Sequence, residues 1–141
     1  MHARSKGLVG LTVLVAASLL ACGEGTFTPV DADLSGQWSG SAGWSNDGTT
    51  TTMFLDLSLQ QDENGALTGT GTYERETVGS SPVTVRSGTH SGGSFTLSLR
   101  VEAYDAVMSY SGSVMGTEND RIVLDGTLKS STNSLDIVLR R

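Results

Sequence analysis

Thr51-Thr52-Met53-Phe54-Leu55-Asp56-Leu57-Ser58-Leu59-Gln60 decides the fold. Met53, Leu55, Leu57 and Leu59 fall on alternate positions, with Asp56, Ser58 and Gln60 between them. A period of two is that of a strand with one face in a core and one in water. The pattern repeats on both sides of this segment. It predicts strands over 36–42, 51–60, 66–74, 83–90, 94–102, 107–114, 121–128 and 134–140. No run of helical period exceeds two turns from Leu34 onward.

Between the strands lie clusters that turn the chain: Asn46-Asp47-Gly48, Asp62-Glu63-Asn64-Gly65, Gly79-Ser80-Ser81-Pro82, Ser91-Gly92-Gly93, Thr117-Glu118-Asn119-Asp120 and Ser131-Thr132-Asn133. Their residues tolerate positive φ or bond the turning backbone. Connections this short make neighbouring strands antiparallel. Eight such strands form an up-and-down meander. Closing it into an all-β barrel hides both edge strands. A two-sheet β-sandwich is the alternative. The outward face carries too many charges and hydroxyls to meet lipid, so the strands do not read as a membrane-spanning barrel.

The inward face is rich in large aliphatic side chains, with Gly69, Gly71, Gly112 and Gly126 among them. Eight strands enclose a space that side chains fill or that holds one small ligand. The expectation is a mostly filled core with a shallow pocket at one mouth, near Trp44, Tyr73 and Tyr110. The glycines either hollow one end or let the sheet bend.

Ahead of the strands the chain changes character. Arg4 and Lys6 precede an almost wholly apolar run from Leu8 to Ala21. A basic start before a short apolar stretch is the mark of a secretory signal. The run is too short to cross a bilayer comfortably as a helix. It ends in Leu19-Leu20-Ala21-Cys22, which resembles the lipobox of bacterial lipoproteins. The resemblance implies removal of residues 1–21, diacylglycerol on the Cys22 thiol and an acyl chain, such as palmitate, on its amine. Several acyl chains anchor stably where one does not. Gly23 follows, not the aspartate that often retains such proteins at the inner membrane. In a Gram-negative cell this favours the outer membrane, on its periplasmic face or the surface. Residues 22–33 then read as a flexible tether, and 34–141 as a single barrel domain.

Charge and composition narrow the function. The 141 residues carry 9 Lys and Arg against 15 Asp and Glu, a net charge of −6. Without Arg4 and Lys6, seven bases face fifteen acids, a net charge of −8. Such a chain has no basic face for nucleic acid. One cysteine excludes a disulfide framework. His90 is the one histidine beyond the signal. It reads as exposed near a turn, and it cannot alone build a zinc site or a catalytic triad. The acidic turns lack the ligand spacing of a calcium loop. No metal and no cofactor is expected.

Gly36-Gln37-Trp38 opens the first strand, and Arg140 and Arg141 end the last. This arrangement resembles the calycin superfamily, which includes lipocalins and avidins. There a Gly-x-Trp packs under an arginine from near the C-terminus. The resemblance implies a barrel-closing pair of Trp38 and Arg140. Gly65-Ala66-Leu67-Thr68-Gly69-Thr70-Gly71-Thr72-Tyr73 is similar to an avidin strand whose tyrosine helps bind biotin. Only Tyr73 inherits such a role. Arg75 stands where avidins have a small hydroxyl residue, and no tryptophan follows Trp44, so biotin is not the expected ligand.

The expected function is a non-enzymatic, lipid-anchored module of the bacterial envelope, binding a small apolar ligand or an envelope protein. The alternative is a structural or inhibitor-like interaction domain with a filled core.

Overall fold

The computed structural model describes residues 28–116 and 121–141, except for the side chains of Thr28, Trp44 and Asn46. Residues 1–21, expected to be a signal, Cys22 with the first part of the expected tether, and residues 117–120, expected to turn, lie outside the described residues. A two-residue strand β1 (Thr28–Pro29) comes first. Eight long strands follow: β2 (Gly36–Asn46), β3 (Thr49–Gln61), β4 (Leu67–Arg75), β5 (Gly79–Ser91), β6 (Ser94–Val101), β7 (Ala106–Gly116), β8 (Ile122–Lys129) and β9 (Ser134–Arg140). One turn of 3₁₀ helix, η1 (Glu102–Tyr104), joins β6 to β7.

Every consecutive pair from β2 to β9 is antiparallel, and β2 also pairs with β9 through Ser39 and Arg140. The meander therefore closes on itself as a barrel, and the sandwich alternative falls away. Alternation sets the packing. Along β3, Met53, Leu55, Leu57 and Leu59 are buried, while Phe54, Asp56 and Gln60 are exposed.

Several connections are tighter than the sequence suggests. The polar stretch between β2 and β3 is a two-residue turn, with Asp47 at φ 50° and Gly48 at φ 81°. Positive φ at both positions matches the right-handed twist of the flanking strands. Gly79-Ser80-Ser81-Pro82 belongs to β5 rather than to a turn.

The glycines do not hollow the barrel. Gly112 and Gly126 face each other across β7 and β8. A Cβ on Gly126 would stand 2.9 Å from both the Phe95 and the Tyr110 rings. The two rings fill the space it leaves, with centroids 4.9 Å apart.

One end of the barrel is sealed by the chain that leads into β2. Residues 28–33, expected to belong to a loose tether, are docked. Thr28 and Pro29 pair with Gly116 and Met115, and the Val30 amide donates to the Val114 carbonyl. The chain then crosses beneath the barrel and buries Leu34 completely. Trp38 Nε1 donates to the Leu34 carbonyl at 2.8 Å.

The cation over the Trp38 ring is Arg141, not Arg140. Its Cζ lies 4.8 Å from the ring centroid, and its Nη1 donates to the Ser35 carbonyl at 3.0 Å. The reason is strand parity. Leu139 is buried, so its neighbour Arg140 turns outward and is exposed. The residue after the strand is the one free to fold back under the barrel.

Candidate functional site

At the opposite end the described residues leave a hollow. There the turns β2–β3, β4–β5 and β8–β9 gather with η1. They surround a pocket of about 250 Å³. Its walls are Met53 from β3, Tyr73 from β4, Ala106 and Met108 from β7, Leu128 from β8 and Leu135 from β9. Its rim is polar. Arg75 ends β4, and Ser130, Thr132, Asn133 and Ser134 come from the β8–β9 turn. Tyr104 of η1 completes it.

Each wall follows from strand parity. Leu67, Gly69, Gly71 and Tyr73 form the inward row of β4, and Arg75 is its next member. The outward row, Thr68, Thr70, Thr72 and Glu74, is exposed. Tyr73 packs edge-on against Tyr104, with ring centroids 6.4 Å apart and planes at 86°. Burial raises the Tyr73 phenol above its ordinary value, and the nearby Arg75 charge partly offsets this. The η1 turn is held in place by Ser81 Oγ, which accepts the Ala103 amide proton at 2.9 Å. The β8–β9 turn is closed by mutual bonds between Ser130 and Asn133.

Of the three expected mouth residues, Tyr73 lines the pocket. Tyr110 does not. It is fully buried in the barrel interior, and its hydroxyl proton is shared by the carbonyls of Leu124 and Ile137, both at 2.9 Å. It sits one inward step below Met108, beneath the pocket floor. The backbone of Trp44 pairs with Thr51 at the mouth end, and its side chain lies outside the described residues. The polar rim was not foreseen. Ser131-Thr132-Asn133 reads in the sequence only as a turn, and turn residues carry no alternation that would aim them. Arg75 did leave a signal, because it lies two residues beyond Tyr73 on a strand.

His90 also departs from expectation. It is buried at the sealed end, 5% exposed. The cause is a β-bulge in β5 between Val85 and Ser87. Val83 and Val85 point inward; the bulge at Arg86 shifts the phase by one, so Gly88 and His90 follow them. Gln61 Oε1 stands 3.1 Å from His90 Nδ1 and accepts the Leu34 amide proton at 3.1 Å. An amide oxygen can only accept, so Nδ1 carries the ring proton there. Nε2 faces Asp31 Oδ1 at 3.5 Å. Ser87 and Ser91, the neighbouring hydroxyls, are exposed. The cluster ties the docked N-terminal segment to β3 and β5.

Among the described residues, no group of three or more His, Cys, Asp or Glu side chains is placed to hold a metal ion. No helix among them is long and apolar enough to cross a membrane. Comparison with known proteins gives no matching family model, no similar curated protein and no similar solved structure.

Proposed function

We propose that this chain is a non-enzymatic binding module of a bacterial cell envelope, anchored by lipid on Cys22, whose barrel takes a small apolar ligand at its mouth. One observation carries the ligand reading. The core is packed shut from Leu34 and Trp38 up to Tyr110, then opens into the pocket between Met53, Tyr73, Met108 and Leu135. An apolar hollow with a few polar groups at its rim is the usual form of a small-molecule site. Its volume of about 250 Å³ is below the roughly 300–1,000 Å³ of drug-sized pockets. The ligand is accordingly small.

Methyl NMR tests this directly. Met53 and Met108 line the pocket, whereas Met115 lies on β7 toward the sealed end. With ¹³C-methyl methionine in the full chain, in lipid nanodiscs, toluene should shift the Met53 and Met108 signals and leave Met115 in place. Ala106→Trp, which fills the pocket from β7, should abolish the shifts. Toluene binding that survives the substitution, or no shift at all, would end the ligand reading. The anchor is tested separately. Cys22→Ser should abolish fatty-acid labelling and partitioning into detergent, since no thioether can form; unchanged labelling would remove the lipoprotein reading.

A second reading, an interaction domain with a filled core, draws support from the same packing. Among the described residues the barrel interior is hollow at the mouth and filled below it, and Tyr104 and Val107 beside the mouth are exposed. A silent pocket in the NMR experiment would favour it.

A further inference from the structure

We infer that the mouth pocket selects a single aromatic ring, and neither a saturated ring of similar size nor an aromatic cation. The inference rests on the ligand reading above and names the chemistry that the pocket would select.

The barrel wall changes chemistry at the level of the pocket. Along β3 the inward row runs Met53, Leu55, Leu57 and Leu59, and its member nearest the mouth is the methionine. Along β7 the inward row begins with Met108 and Tyr110, and the member nearest the mouth is again a methionine. Both line the pocket, and they are two of the three methionines among the described residues. Leucine would serve a purely aliphatic ligand as well at either place, as Leu128 and Leu135 do in the same hollow. A thioether differs from leucine in its polarizable sulfur, which packs favourably at the edge of an aromatic ring, and in an unbranched chain that adapts its shape to one.

The tyrosines point the same way. Tyr73 and Tyr104 both line the pocket, and they meet edge to face with planes at 86°. Aromatic rings prefer such contacts, and each pair adds to what burial alone contributes. Tyr104 is 42% exposed while bordering the hollow, so a third ring entering there can extend the pair and cover an apolar surface.

Two rings can also form a cage for a cation. The lining opposes that reading. Arg75 brings a positive charge to the rim, and none of the described lining residues is a carboxylate. A cation would leave water with no counter-charge to replace its hydration. The other polar groups at the rim, on Ser130, Thr132, Asn133 and Ser134, are neutral. A volume of about 250 Å³ suits one ring.

The test titrates toluene and methylcyclohexane, the same carbon skeleton with and without aromaticity, against the full chain in nanodiscs. The Ala106 methyl on the pocket wall is the readout, so that the methionines can be changed. Both compounds also enter the lipid and differ in hydrophobicity, so the measure is how their affinity ratio differs between the parent and the double variant Met53→Leu, Met108→Leu. Leucine keeps the volume of methionine closely enough for the core to tolerate the exchange. The preference for toluene should fall at least threefold in the double variant. A Met115 methyl signal at its parental position shows that the barrel is intact. Benzylammonium, the same ring carrying a cation, should bind the parent at least tenfold more weakly than toluene. A smaller fall in the ratio overturns the aromatic assignment, and benzylammonium binding as tightly as toluene overturns the exclusion of cations; both leave the ligand reading standing. If none of the three compounds moves Ala106 in the parent, the ligand reading falls and takes this inference with it.

Discussion

Arg141 and Trp38 close the barrel from beneath: the guanidinium carbon lies 4.8 Å from the indole centroid. The same side chain donates to Ser35, and the indole nitrogen donates to Leu34. Three parts of the chain, β2, the segment before it and the residue after β9, thus meet at one ring.

The first prediction concerns this contact. Trp38→Ala removes a fully buried ring and should destabilise the fold by roughly 3–5 kcal/mol. Arg141→Ala should cost about 0.5–1 kcal/mol, the range of an exposed cation over a ring. In a double-mutant cycle read by urea denaturation the two should couple. Arg140→Ala should be close to neutral and show no coupling to Trp38. Additive effects of Trp38 and Arg141 would mean that the stacking contributes nothing.

A second prediction addresses Gln61. Its side-chain oxygen serves both the Leu34 amide and the His90 ring. Gln61→Leu keeps the bulk and leaves both donors without their acceptor. The cost should be about 1–3 kcal/mol, the penalty for stranding a buried donor. Hydrogen exchange should accelerate at the Leu34 amide far more than at Leu97 or Leu99 in the barrel wall. Equal protection in the variant and the parent would show that Gln61 does not hold the seal.

The third prediction is a pH dependence. Burial, with the Asp125 charge adding to it, holds the Tyr110 phenol far above its ordinary value. The folded state therefore keeps a proton that the unfolded chain releases near pH 10. The associated stability is complete below that pH and is lost as pH rises above it. The unfolding free energy from urea denaturation should stay level from pH 7 to 9 on this account, then fall, with a slope of up to about 1.4 kcal/mol per pH unit for one proton. Tyr110→Phe should flatten that alkaline slope, leaving a smaller part due to Tyr73, whose phenol is also raised by burial. An unchanged slope in the variant would refute the assignment.

What the sequence discloses follows from how regular a segment is. The leucines of β3 reveal both the strand and its buried face, because nothing breaks the alternation between Thr51 and Gln60. The barrel order follows from short turns, and closure from the need to hide two edges. The β5 segment misleads at its end. Its bulge inserts one residue, Arg86, among polar neighbours, where no apolar marker records the change of phase. His90 therefore reads as outward and is in fact buried. Arg140 and Arg141 differ by one position, and only the inward facing of Leu139 tells them apart. Tyr110 shares its hydrophobic row with Met108, and periodicity does not say how deep in the barrel each residue of a row lies. Depth depends on strand stagger, which comes from long-range register. The polar rim comes from a turn, where composition reveals bending and not direction.

The two-residue strand β1 sets where the molecule can be held. It runs antiparallel to β7, with Thr28 beside Gly116 at the far tip of that strand and Pro29 one step nearer the mouth. Thr28, the first described residue, consequently lies at the sealed pole, and Arg141 lies at the same pole. The molecule thus has a handle and a business end on opposite sides. A label attached at Thr28 or at Arg141 would sit at the sealed pole and leave the opening clear.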